Sequence, residues 1–353
     1  MDIREDILTP RERSKAFSEG KPMDRIVCLP MVAISAAYLI GKTIKEFQLD
    51  PEVMAQSHIA AYKRFKYDSV GLSTNCSVLA EAMGAKLDYP EDDAANCIEP
   101  LVKSRGDLSK VKDIDPEKDG KLWVFYKAFK IVNEEIGHEV PISISVSGPV
   151  TTAATLRGTE AFARDMYADP ELCHELLRKS TDNIKRHIKT IVEHGADIGA
   201  IADPIASASV ISPKMFKQFA FPYIKELVDY IHSFNSGAAL HICGKSEKIL
   251  ELMVETGADT ISIDKVDLKV VKEVVAGRAA IVGNVDTTDE MLHGPVEKIQ
   301  EVCKRYIDLM RDYKGLYILS TGCDISPKAP FEYVQAMMDV ARSYGLYEYQ
   351  ENN

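Results

Sequence analysis

Eight short apolar runs recur along the chain, each followed by a stretch with helical spacing. They are Arg25–Met31, Asp68–Ser73, Pro141–Pro149, Ile198–Pro204, Ala238–Cys243, Thr260–Asp264, Ala279–Asp286 and Leu316–Cys323. Most are continuous rather than alternating, the pattern of parallel strands covered on both faces. Helices are predicted over Pro51–Phe65, Lys121–Ile136, Glu160–Tyr167, Pro170–His194, Pro213–Phe234, Lys248–Glu255, Leu268–Val275, Val296–Tyr313 and Phe331–Tyr344. In Lys121–Ile136 the apolar stripe is Leu122, Phe125, Phe129 and Val132, spaced as one helix face requires. Thr9, Pro10 and Glu12 read as the cap, first residue and capping-box partner of a helix running to about Ser18. Asp50 opens a helix as its cap, and Gly195 and Gly257 close two others.

Eight strand–helix units predict an α/β chain folded as one TIM (β/α)8 barrel over residues 1–353. Residues 1–24 form an N-terminal helical extension. Residues 75–120, the longest irregular stretch, form an insertion after strand two at the barrel mouth, with one or two helical turns over Val78–Met83. An excursion of that length is more often functional or solvated than a plain connection. The alternative is an open doubly wound sheet, but no Gly-x-Gly-x-x-Gly follows the first strand.

Composition narrows the partners. A chain of 353 residues with 46% hydrophobic and 27% charged content builds a large core. The net charge of −11 argues against nucleic acid, whose phosphates need a basic surface. No apolar run is long enough to span a membrane, and Met1–Asp6 lacks the apolar segment of a signal peptide. The seven cysteines are odd in number and scattered, as expected of free or metal-bound thiols in a reducing cytoplasm.

A TIM barrel carries its chemistry at the C-terminal ends of its strands. Strand four ends at Asp203, five at His241 and Cys243, six at Asp264, seven at Asn284 and Asp286, and eight at Cys323. His241 and Cys243 are two apart, so they share a face. Strand eight lies across the barrel from strand five, so Cys323 can join them. Two thiolates and one imidazole suit zinc with an open or replaceable fourth position. Asp264 on the adjacent strand is the candidate for that position and for accepting a proton. Zn²⁺ with two thiolates and neutral His is net zero; exchanging Asp264 for an incoming thiolate then leaves the charge unchanged. Asp203 and Asp286 read equally as turn or cap residues. Cys28, Cys173 and Cys303 read as core. His58, His174, His187, His194 and His232 lie on helices and read as surface or satisfied core residues.

Together, Leu240-His241-Ile242-Cys243-Gly244, Val282-Gly283-Asn284-Val285, Thr321-Gly322-Cys323 and Ala200-Ile201-Ala202-Asp203-Pro204 resemble the uroporphyrinogen decarboxylase superfamily. They are most similar to its zinc branch, the methylcobamide:coenzyme M methyltransferases, and the resemblance is strongest over 141–335. It implies a TIM barrel, zinc held by His241, Cys243 and Cys323, an exchangeable acidic ligand at Asp264, and a methylcobamide presented by a corrinoid partner protein. Decarboxylation of a porphyrinogen fits poorly: the arginine pair expected near strand one is absent from Met31–Tyr38.

The implied activity is methyl transfer between corrinoid cobalt and a small nucleophile, a thiol such as coenzyme M. A second possibility takes the methyl group from an aryl methyl ether to cobalt. A third is a non-catalytic zinc- or corrinoid-protein partner with a closed metal site. Met31, Cys76, Glu81, Asp203 and Asn284 are the candidate pocket residues, with Tyr38 and Met83 as further neighbours.

Overall fold

The computed structural model describes residues 2–73 and 75–348, and the eight apolar runs are its eight parallel strands. They are β1 (Cys28–Leu29), β2 (Val70–Leu72), β3 (Ile142–Ser147), β4 (Asp197–Ala202), β5 (Ala239–Ile242), β6 (Thr260–Ile263), β7 (Ala280–Val285) and β8 (Tyr317–Thr321). Their order around the sheet is β1-β8-β7-β6-β5-β4-β3-β2, and every ladder is parallel. With helices between them, this is a TIM barrel. The strands are shorter than their apolar runs because the flanking residues turn away to become loops.

Leu72, Ile144, Ile201, Leu240, Ile242, Ile261, Ile263, Ile281 and Leu319 are completely buried. Strand alternation puts residues between such positions on the opposite, inner face. One inner layer runs in register through Ser147, Ala202, His241, Ser262, Val282 and Ile318. Barrel interiors are ordinarily filled by bulky branched residues. Here three of His241's layer companions are Ser or Ala, which leaves space beside the imidazole.

The first and last strands of the sheet meet at a seam held by Asp68. The Asp68 amide donates to the Cys28 carbonyl at 3.1 Å, and its carboxylate accepts from the Cys28 amide at 2.6 Å. The same carboxylate pairs with Arg13 and Arg25. Arg13 also forks onto Asp24 at 2.7 and 2.8 Å, and Arg25 onto Asp6 at 2.6 and 2.8 Å. Both arginines are almost wholly buried, at 0% and 1% exposure. Burial opposes ionisation of Asp6, yet the arginines beside it hold its carboxyl down at about 2. The N-terminal extension is thereby locked onto the barrel end opposite the expected chemistry. Its helix, Pro10–Ser18, begins with the anticipated Thr9–Glu12 capping box.

Several elements differ from the sequence reading. A helix over Pro149–Arg157 follows β3 directly. It is buried nearly all round, so it has no amphipathic stripe to reveal it. The long helix expected from Pro213 is interrupted by a π-helical turn at Phe216–Ala220 before continuing as Phe221–His232. Pro222 lacks the amide that a regular ladder needs there. The 75–120 insertion holds a short helix, Val78–Ala82, an antiparallel hairpin of Lys86–Asp88 with Asn96–Glu99, and a 3-10 segment at Arg105–Lys110. No helix among the described residues is long and apolar enough to cross a membrane.

Candidate metal centre and cavity

Two strand ends and one backbone turn bring the three candidate ligands together. His241 occupies β5, Cys243 stands just past its end, and Cys323 lies two residues beyond β8. Among the described residues, the ligand atoms of these three side chains all lie within 4.8 Å of one another. Cys323 Sγ is 3.8 Å from His241 Nε2. The other ring nitrogen, Nδ1, is 2.9 Å from Ser262 Oγ. Donation from Nδ1–H to that hydroxyl leaves the Nε2 lone pair facing the two thiols, the role a partner of a metal-binding histidine commonly plays.

Local sequence explains the cysteine turns. Gly244 follows Cys243 with φ +73°, a conformation that favours glycine. Thr321 accepts from the Met31 amide at 3.0 Å and donates to the Cys323 carbonyl at 2.8 Å. Gly322 is required by close approach: a Cβ there would lie 2.6 Å from Asp264 Oδ1.

Asp264 thus touches both turns. Its Oδ2 accepts from the Gly244 amide at 2.8 Å, while its Oδ1 is buried without a protein partner. It stands one step behind the three-ligand group rather than inside the 4.8 Å set. Asn284 braces the Asp264 turn by donating to the carbonyls of Asp264 and Val266, each at 2.7 Å.

A cavity of about 170 Å³ opens beside the cluster, and Met31, Cys76, His241, Cys243, Cys323 and Asp324 all contribute to its wall. Of the five residues anticipated for the pocket, Met31 and Cys76 line it; Glu81, Asp203 and Asn284 do not. Glu81 accepts from the Tyr89 hydroxyl at 3.0 Å. Asp203 is fully buried and caps the Pro149–Arg157 helix, accepting from the amides of Val150 and Thr151 and from the Thr151 hydroxyl. Met83 is core, and Tyr38 points its hydroxyl to Asp92 at 3.3 Å.

Several site residues escaped the sequence reading, among them Ser262, Asp324 and His187, which is buried against the Tyr126 hydroxyl as a satisfied core residue and yet lines the cavity. Ser262 is the register partner of His241 on β6, which a pairing of the two runs would have revealed. Asp324 directly follows a proposed ligand and faces the cavity.

The electrostatics are those of crowded acidic groups. The neighbouring Cys243 thiol, and then burial, push the Cys323 thiol far up. Burial pulls His241 down, but Cys323, Asp324 and Asp264 together raise it on balance. Burial, reinforced by Asp203 and Asp324, pushes Cys76 up to about 12. Surrounding protein pushes the Asp324 carboxyl up to about 6, with His241 opposing, although the side chain is open to the cavity. A dense cluster of reluctant acids relaxes when a cation is added, because a metal favours the deprotonated forms.

Residues 9–344 match the family described as Uroporphyrinogen decarboxylase (URO-D). Methylcobamide:CoM methyltransferase MtaA of Methanosarcina barkeri is 30% identical over 343 residues, covering 95% of this chain and 98% of the relative. Methylcobamide:CoM methyltransferase MtbA of Methanosarcina acetivorans is 30% identical over 341 residues, with the same coverage. A solved methyltransferase from Methanosarcina mazei superposes with a TM-score of 0.85 at 29% identity, covering 96% of this chain and 99% of that one.

Proposed function

The chain belongs to the uroporphyrinogen decarboxylase (URO-D) family, and on that premise we propose that it is a zinc-dependent methyltransferase. It moves a methyl group between the cobalt of a corrinoid carried by a partner protein and a small nucleophile, a thiol in the favoured direction. The supporting observation is the convergence of His241, Cys243 and Cys323 within 4.8 Å beside a cavity sized for a small molecule. Relatives matched along nearly their whole length bear the name of this reaction class.

The donor set fits zinc. Zinc–ligand lengths of ~2.3 Å to sulfur and ~2.0 Å to nitrogen place S and N about 3.5 Å apart across a tetrahedral site, near the 3.8 Å between Cys323 Sγ and His241 Nε2. The orphaned Oδ1 of Asp264 is available as a replaceable fourth ligand. When bound, zinc would act as a Lewis acid that holds a thiol as thiolate at neutral pH.

The chain's own residues supply the rest. Ser262 orients the imidazole, the Gly244 and Gly322 turns aim the thiols, and Asp264 takes up the thiol proton as the substrate enters. Sulfur then attacks the methyl carbon, the cobalt–carbon bond breaks, and its electron pair stays on cobalt. The small cavity disfavours decarboxylation of a tetrapyrrole. Its apolar side, with Val78, Leu79 and Phe125, also suits an aryl methyl ether, the second reading. The seven free cysteines suit a reducing cytoplasm.

Incubation of the zinc-loaded protein with methylcobalamin and a panel of small thiols tests the proposal, with loss of the methyl–cobalt chromophore as readout. Thiol-dependent demethylation supports it. Inertness toward every thiol, combined with methylation of reduced cobalamin by a methoxyphenol, would replace it with the ether reading.

A further inference from the structure

Among the described residues, the wall of the cavity beside the metal ligands contains neither lysine nor arginine. Its polar lining holds serines and thiols, the His241 imidazole among the ligands, the His187 imidazole, which burial pulls down to about 3 and so keeps neutral, and the Asp324 carboxyl. Basic residues close in sequence to the ligand strands lie elsewhere. Lys245 is exposed outside the wall, and Lys265 pairs with Asp286 at 3.6 Å. Asp324 is the one carboxylate in the wall among the described residues.

An anionic tail brought into this space would meet a carboxylate and no counter-charge. Like-charge juxtaposition in a partly desolvated site is a strong source of discrimination. We infer that the small molecule handled here carries no anionic group, that its tail is neutral or positively charged, and that Asp324 determines this specificity. The inference rests on the reading of the cavity as the site of a small methyl acceptor or donor. It sets this chain's substrate apart from sulfonate-tailed thiols such as coenzyme M.

Three thiols sharing the HS–CH2–CH2 unit provide the test: 2-mercaptoethanesulfonate, 2-mercaptoethanol and 2-aminoethanethiol. Their affinities for the zinc-loaded protein are measured by calorimetry in wild type, Asp324→Asn and Asp324→Glu. Comparing each thiol across variants cancels differences in thiol acidity. In wild type, the aminothiol is expected to bind at least about tenfold tighter than the sulfonate. That ratio should shrink roughly tenfold in Asp324→Asn and persist in Asp324→Glu. A merely structural role for Asp324 would shift all three thiols together and leave the ratio alone. Tightest binding of the sulfonate by wild type, or a ratio unmoved by Asp324→Asn, overturns the inference. If no thiol binds, the thiol reading fails and the charge claim is read from methyl donors instead. Preference for 2-methoxybenzoate over 2-methoxyphenol then overturns it, and the reverse preference supports it.

Discussion

Replacing Cys323 with alanine is expected to abolish both stable zinc binding and methyl transfer. The three ligand atoms lie within 4.8 Å of one another, so each closes the same small site. Four-ligand zinc sites are worth on the order of 10–16 kcal/mol, so one strong ligand carries about a quarter of that, roughly a 10²–10³-fold loss of affinity. Cys243→Ala should behave alike. Cys28→Ala and Cys303→Ala are the controls: both residues are completely buried and neither belongs to the cluster. Elemental analysis after dialysis against a weak chelator should find one zinc per chain in wild type and both controls, and almost none in Cys323→Ala. Full zinc retention by Cys323→Ala would sink the assigned ligand set.

The second large effect concerns stability. Asp68→Ala is expected to destabilise the fold by about 3–5 kcal/mol, the usual consequence of removing one partner from a buried ion network. Two arginines at 0% and 1% exposure would lose a shared carboxylate, and the Cys28 amide would lose its acceptor at the barrel seam. Arg13 retains Asp24 and Arg25 retains Asp6, so the folded state should survive in weakened form. Chemical denaturation reads the effect as a lower midpoint with an unchanged slope. The fraction that remains folded should still bind one zinc, because the seam and the metal site lie at opposite barrel ends. A change below about 1 kcal/mol would mean that the network contributes little.

Much of this architecture was legible in the sequence because continuous apolar runs betray parallel strands. His241, Cys243 and Cys323 were legible because strand ends place chemistry. The helix at Pro149–Arg157 was hidden: Val150, Thr151, Ala153 and Leu156 are all buried, so burial on every side erased its periodicity. The hairpin in the 75–120 insertion was hidden for the opposite reason, since Lys86, Asp88, Asn96 and Glu99 are exposed and polar. Asp203 sits at a strand end, where a carboxylate reads as chemistry, yet three hydrogen bonds make it a helix cap. Asp324 shows no pattern of its own; only the turn after β8 gives it a place in the cavity wall. The empty space around His241 depends on register, which aligns Ser147, Ala202 and Ser262 with it across separate strands.

The claim at the centre is a zinc ion held by His241, Cys243 and Cys323 with one position open to a thiol. Zinc-edge X-ray absorption, recorded with and without a saturating thiol, measures it directly. Without thiol, the expected first shell is two sulfurs at about 2.3 Å and two lighter atoms at about 2.0–2.2 Å. With thiol, it should become three sulfurs and one lighter atom. A shell that holds only two sulfurs while thiol saturates the protein would contradict the claim.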